Sequence, residues 1–154
     1  MKLITAPKRY EGLDSRVIFL AGGISGTPPW QDVAVAALRD TAFAVLNPRR
    51  DDFNVMDPAV AREQIAWEFK HLARATDILF WFPKETLCPI TLYELGYWLA
   101  TARQRLGNGP RLFVGCDPEY KRRFDVEVQV SLAFQWIKVH SSLSDLLAHV
   151  KTAA

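Results

Sequence analysis

Short apolar runs that alternate with helix-length amphipathic segments limit most strongly what this chain can become. Residues 16–21, 43–46, 77–82, 112–115 and 136–139 are brief and rich in branched and aromatic side chains, as buried strands are. Helical periodicity follows four of them, over residues 30–41, about 58 to 74, about 91 to 105 and 143–152, while 124–134 has a mixed pattern that fits helix or strand and is read as helix because a parallel sheet needs a crossover there. Strands joined through helices pair in parallel, because a parallel pair needs a long crossover. The expected architecture is therefore a single α/β domain in three layers, with a five-stranded parallel sheet between helices. The run Ile78-Leu79-Phe80-Trp81-Phe82 has no polar break, which fits a central strand covered on both faces. Strand order 2-1-3-4-5 sets this third strand beside the equally apolar first one. The loops at 22–29 and 83–89 then meet at the switch point, where such sheets hold ligands. Residues 1–15 are polar, contain Pro7 and Gly12, and are expected to form an arm without a regular element.

Charge and cysteine usage narrow the function classes. The 19 Lys and Arg against 17 Asp and Glu give a net charge of +2, too mild for binding a nucleic-acid polymer. No apolar run reaches the roughly 18 residues of a membrane span, so no membrane partner is expected. The first ten residues lack the apolar stretch of a secretory signal, and a cytoplasmic location is expected. Cys88 and Cys116 are far apart in sequence, and His71, His140 and His149 are scattered, so neither a metal site nor a cofactor is expected. Five Trp, nine Phe and four Tyr suit a core and a subunit interface, or the walls of a pocket for a flat ligand.

The chemistry-bearing candidates cluster near the predicted switch point. Gly22-Gly23-Ile24-Ser25-Gly26 follows the first strand but is neither G-x-G-x-x-G nor a Walker loop, which argues against triphosphate hydrolysis. Gly22 and Gly23 permit a ligand to approach the backbone and Ser25 offers a hydroxyl, although a tight strand-to-helix turn needs the same glycines. Arg49 and Arg50 follow the second strand, placed either to hold an anion or to pair with Asp51 and Asp52. Gln64, Trp67 and Glu68 sit mid-helix, where the inward face is read as Val60, Ile65, Trp67 or Glu68, Phe69 and Leu72. Glu68 alone reads as readily as an exposed partner of Arg62, Lys70 or His71. Glu94, in Cys88-Pro89-Ile90-Thr91-Leu92-Tyr93-Glu94-Leu95-Gly96-Tyr97, stands in the first turn or two of the helix after the central strand. The helix dipole there is expected to hold its carboxylate ionised.

The segment Thr91-Leu92-Tyr93-Glu94-Leu95-Gly96-Tyr97 resembles the nucleophile motif of the nucleoside 2-deoxyribosyltransferases and related nucleotide N-glycosidases. Further pieces extend the resemblance: Phe19 to Gly26, Asn47-Pro48-Arg49-Arg50, Gln64 to Glu68, Ala75-Thr76-Asp77 and Cys88-Pro89-Ile90. It implies a flavodoxin-like fold with the strand order given above. It also implies Glu94 as nucleophile on the anomeric carbon of a (deoxy)nucleoside or nucleotide, Glu68 as contact or acid for the leaving base, and transfer to a base or to water. Gly22, Gly23, Ser25, Arg49, Trp67 and Cys88 are the matching candidates for substrate contact. Cys88 stands where the transferases carry a sugar-binding Asp, and the chain closes on Thr152-Ala153-Ala154 without the family's aromatic contact. Asp125 resembles a polar residue supplied to the sugar by a neighbouring subunit, which implies a homo-oligomer with shared sites. The alternative is a non-catalytic nucleotide-sensing module of the same fold.

Overall fold

Strands and helices alternate as the sequence predicts, with one addition at the start of the chain. The computed structural model describes residues 1–51, 54, 56–105 and 108–153. Its strands are β1 (Lys2–Thr5), β2 (Val17–Gly22), β3 (Ala44–Asn47), β4 (Asp77–Phe82), β5 (Arg111–Cys116) and β6 (Val139–His140). Its helices are α1 (Trp30–Ala37), α2 (Pro58–Leu72), α3 (Pro89–Gln104), α4 (Arg123–Ala133) and α5 (Leu143–Thr152). All strand pairs are parallel, in the order β1-β3-β2-β4-β5-β6. Without β1, the remaining five follow the 2-1-3-4-5 order expected from the sequence.

The added strand corrects the reading of residues 1–15 as an arm without structure. Lys2 to Thr5 pair with Ala44 to Asn47, and the next residues are tied to α2. The Trp67 indole N–H donates to Lys8 O at 2.7 Å, and the Tyr10 backbone N–H donates to His71 Nε2 at 3.0 Å. Four residues with two exposed, in a stretch bounded by a proline, carry too little period-2 signal to announce a strand. At the other edge, the fifth expected strand shortens to Val139–His140, and Trp136 is exposed.

Alternation along the strands divides the core in two, since successive side chains face opposite sides of a sheet. Ile18, Leu20, Val45, Leu79, Trp81 and Phe113 pack under α1 and α5, with Trp30, Ala34, Leu38, Leu146, Leu147 and Val150. Phe19, Ala21, Leu46, Ile78, Phe80 and Val114 pack under α2, α3 and α4, with Trp67, Leu72, Leu95, Trp98, Val126 and Val130. Asp77, fully buried at the start of β4, accepts from Arg16 Nε at 3.1 Å, Arg111 Nε at 2.6 Å and Thr76 Oγ1 at 3.0 Å. A buried carboxylate requires such partners. It lies at the strand end away from the glycine loop.

Candidate active site

The loop after β2 is held by one carbonyl. Gly23 O accepts from Trp30 Nε1 at 2.9 Å, Gln31 Nε2 at 3.1 Å and Thr27 Oγ1 at 3.0 Å. Thr27 therefore braces the loop instead of capping α1, whose N-cap Pro29 has no side-chain cap bond. Gly22 is required by space: a Cβ there would lie 2.4 Å from Trp81 O and 2.5 Å from the Trp30 ring. A Cβ on Gly23 would come within 3.0 Å of Cys88 Sγ, so the glycine loop and the start of α3 touch. Cys88 itself is buried and adopts a left-handed conformation, φ 45° and ψ 54°, as the N-cap of α3. That conformation is costly for a residue with a Cβ and concentrates at functional sites. Its thiol is pushed up to about 11, chiefly by burial, so it stays protonated at neutral pH.

Above this junction α2 and α3 wall a cavity of about 610 Å³, within the size range of small-molecule sites. Phe19 and Ala21 of β2 line it below, and Gly22, Gly23 and Ser25 line it from the loop. From α2 come Ala61, Gln64, Ile65, Glu68, Phe69 and Leu72, spaced by three and four residues so that one helix face meets the cavity. From α3 come Ile90, Thr91, Tyr93, Glu94, Tyr97 and Trp98. Glu68 and Glu94, read from separate segments of sequence, thus share one cavity.

Electrostatics distinguishes the two carboxylates. Burial raises the Glu94 pKa to about 8, and the charge of Glu68 adds to the rise. Glu94 is the sixth residue of α3, past the free N–H groups of the first turn, so the expectation that the dipole keeps it ionised is corrected. Burial also raises Glu68, but Gln64 Nε2 donates to Glu68 Oε1 at 2.8 Å and offsets part of that rise. The same Gln64 nitrogen donates to Pro48 O at 2.7 Å. Gln64 is buried, and its Oε1 has no hydrogen-bond partner among the described residues.

Trp67, Arg49 and Asp125 do not line this cavity. Trp67 is one position, about 100° of helix, away from Glu68; it faces the core, stacked on His71 at 4.0 Å between centroids. Arg49 turns to the glycine loop, donating to Thr27 O at 3.1 Å and Gln31 Oε1 at 3.2 Å, while Arg50 lines the cavity and pairs with Glu63 at 2.9 Å. Asp125, in the first turn of α4, pairs with Arg122 at 3.2 Å and lines a separate groove between α3 and α4. The inward face read for α2 is also revised. Ile65 and Phe69 are 67% and 71% exposed and form the cavity rim with Ile90, Tyr93 and Tyr97, whereas Trp67 and Leu72 are buried as read and are joined by Gln64 and His71. Gln64 was detectable as the residue one turn before Glu68 on the same helix face, but a lone amide carries no chemical signature in sequence.

Among the described residues no group of three or more His, Cys, Asp and Glu side chains is placed to hold a metal, and no helix is long and apolar enough to cross a membrane. The fold is a parallel α/β sandwich whose aromatic-rimmed cavity, at the carboxyl ends of the central strands, is lined by both Glu68 and Glu94, and open sheets of this class hold small ligands at that edge. The model of the family described as nucleoside 2-deoxyribosyltransferase like matches residues 15–110, from β2 through α3, and the chain belongs to that family. Membership places it among nucleoside 2-deoxyribosyltransferase-like enzymes, whose substrate class is the nucleosides. Every cavity-lining residue falls inside the matched region, and Asp125 falls outside it. The comparison with curated proteins returned no match.

Proposed function

We propose that the chain cleaves the N-glycosidic bond of a (deoxy)nucleoside or nucleotide, with Glu94 as nucleophile and Glu68 as acid and base. The observation that carries the reading is the pairing of these two carboxylates across one cavity, close enough for the charge of Glu68 to raise Glu94. Glu94 holds the proton of the pair in the free site at neutral pH, so that proton first passes to Glu68, and the freed Glu94 carboxylate oxygen attacks the anomeric carbon as the bond to the base breaks. The bonding pair leaves with the base, which takes a proton from Glu68. Water or a second base then attacks the same carbon, displaces Glu94 and returns a proton to Glu68. The result is retention of configuration, with hydrolysis or transfer decided by the acceptor.

Around this pair, Gly22, Gly23, Ser25 and Cys88 are the contacts we assign to the sugar end. The apolar rim of Ile65, Phe69, Ile90, Tyr93 and Tyr97 supports a homo-oligomer in which another copy covers the mouth. Asp125, remote from its own cavity, would reach the sugar of a neighbouring copy in that assembly. We assign the protein to the cytoplasm.

Incubation with a panel of nucleosides and 5′-nucleotides, with and without a second free base, tests the reading by chromatography of the released or exchanged base. Wild type should release base, and Glu94→Ala should lose the activity by orders of magnitude. Equal turnover by both proteins overturns the nucleophile assignment. Ligand-dependent thermal stabilisation with no product after long incubation would favour a sensing module instead.

A further inference from the structure

A buried carbonyl without a partner costs stability comparable to a lost hydrogen bond, so Gln64 Oε1 is an acceptor held ready for a donor. Its amide nitrogen is fixed at two points, Pro48 O at 2.7 Å and Glu68 Oε1 at 2.8 Å, which determines which way the carbonyl faces. The hydrogen bond to Oε1 also fixes the Glu68 carboxyl group and leaves its second oxygen uncommitted. Gln64 and Glu68 both line the cavity, one helical turn apart on α2. The α2 wall therefore carries two adjacent functions, an acceptor at Gln64 and a proton donor or acceptor at Glu68.

We infer that Gln64 selects the base: its carbonyl takes an N–H of an exocyclic amino group while Glu68 meets the ring nitrogen beside it. This rests on the proposed role of Glu68 as acid for the leaving base. The edge that matches is an amino group next to a basic ring nitrogen, as in adenine and cytosine. With Glu68 protonated, its O–H donates to the ring nitrogen, the position where a proton makes the base a better leaving group. In hypoxanthine the group beside N7 is a carbonyl, and in uracil the ring nitrogen beside the corresponding carbonyl already carries hydrogen. Hypoxanthine sets acceptor against acceptor at Gln64, and uracil sets like against like at both positions. A site built around a buried polar group rejects analogues that leave it unpaired far more strongly than an apolar pocket rejects a missing methylene. The remaining lining of the cavity, from Phe19 to Trp98, is mostly apolar and suits the faces of a flat base.

Calorimetric titration of the Glu94→Gln protein with deoxyadenosine, deoxyinosine, deoxycytidine and deoxyuridine tests this without turnover. The tightest ligand should bear the amino group and bind about tenfold or more better than its oxo counterpart, the scale of one buried hydrogen bond gained and one orphan relieved. Gln64→Met, which keeps the volume and removes the amide, should bring the two members of that pair within about threefold. A deoxyinosine or deoxyuridine preference, equal binding within both pairs, or an undiminished ratio in Gln64→Met overturns the inference and leaves the glycosidic chemistry standing. Failure of all four nucleosides and of their 5′-monophosphates, titrated in the same way, to bind overturns the proposed function together with it. Should Gln64→Met not fold, the wild-type Gln64 ranking decides alone.

Discussion

Replacing Glu94 with Gln should make the protein more stable at neutral and alkaline pH, even though it removes the proposed nucleophile. The folded pKa of Glu94 is about 8 against 4.5 for an ordinary glutamate, so between those values the folded chain binds more protons than the unfolded one. Stability then falls as pH rises, because the slope follows the protons bound in the unfolded state minus those in the folded state. The contribution is intact below the unfolded value and is withdrawn through the interval up to the folded one. With about 1.4 kcal/mol per pKa unit, the withdrawn stability is about 3 kcal/mol at pH about 7 and approaches about 5 kcal/mol above pH about 8. Glu94→Gln keeps the shape of the side chain and cannot ionise, so it escapes this loss. Urea unfolding of both proteins from about pH 5 to about pH 9 measures the difference, with wild type losing about 1 kcal/mol more per pH unit in the middle of the range. Parallel stability curves would refute the claim that the cavity disfavours the charge of Glu94. A constant offset would mean that Gln only repacks the site.

Glu68→Gln should lower the Glu94 pKa, since the charge of Glu68 is the second cause of its rise, and so extend ionised Glu94 toward acid pH; titration of the Glu94 carboxyl by NMR should show a midpoint below about 8, and an unchanged midpoint refutes the coupling. Gly22→Ala should destabilise by about 3 kcal/mol, because its Cβ meets the immovable backbone oxygen of Trp81 at 2.4 Å. Gly96→Ala, in α3 with nothing within 4 Å of the new Cβ, should instead stabilise by about 0.5–1 kcal/mol. Urea midpoints check both glycines, and a loss of stability at Gly96 of the size expected at Gly22 would refute the steric reading.

The sheet was legible because its signal is redundant. Five apolar runs, each with a helical segment after it, admit few topologies, and the crossover rule selects among them. The edges carried less signal: two of the four residues of β1 are exposed, and β6 keeps only Val139 of the expected 136–139 and adds His140. Glu94 and Glu68 were found through motif order, but their environment was not, because local sequence does not state what faces a helix across a cavity. The dipole argument for Glu94 failed for that reason: burial and a second carboxylate outweigh a helix terminus more than one turn away. Of the neighbouring candidates Trp67 and Glu68, and Arg49 and Arg50, only the second of each pair lines the cavity. Motif matching fixes a segment, whereas the 100° step of a helix or the turn of a loop decides which neighbour points inward.

Both edges of the sheet are short, four residues at β1 and two at β6. An edge strand offers free backbone groups to any passing chain, and brevity is one of the means by which proteins withdraw that offer. Copies of this chain therefore have little backbone to share, and any assembly must join side chain to side chain across helix faces. The sheet can remain closed to fibril-like extension while the apolar mouth between α2 and α3 stays open to a partner, so the protein can be sticky at its site without being prone to β-aggregation.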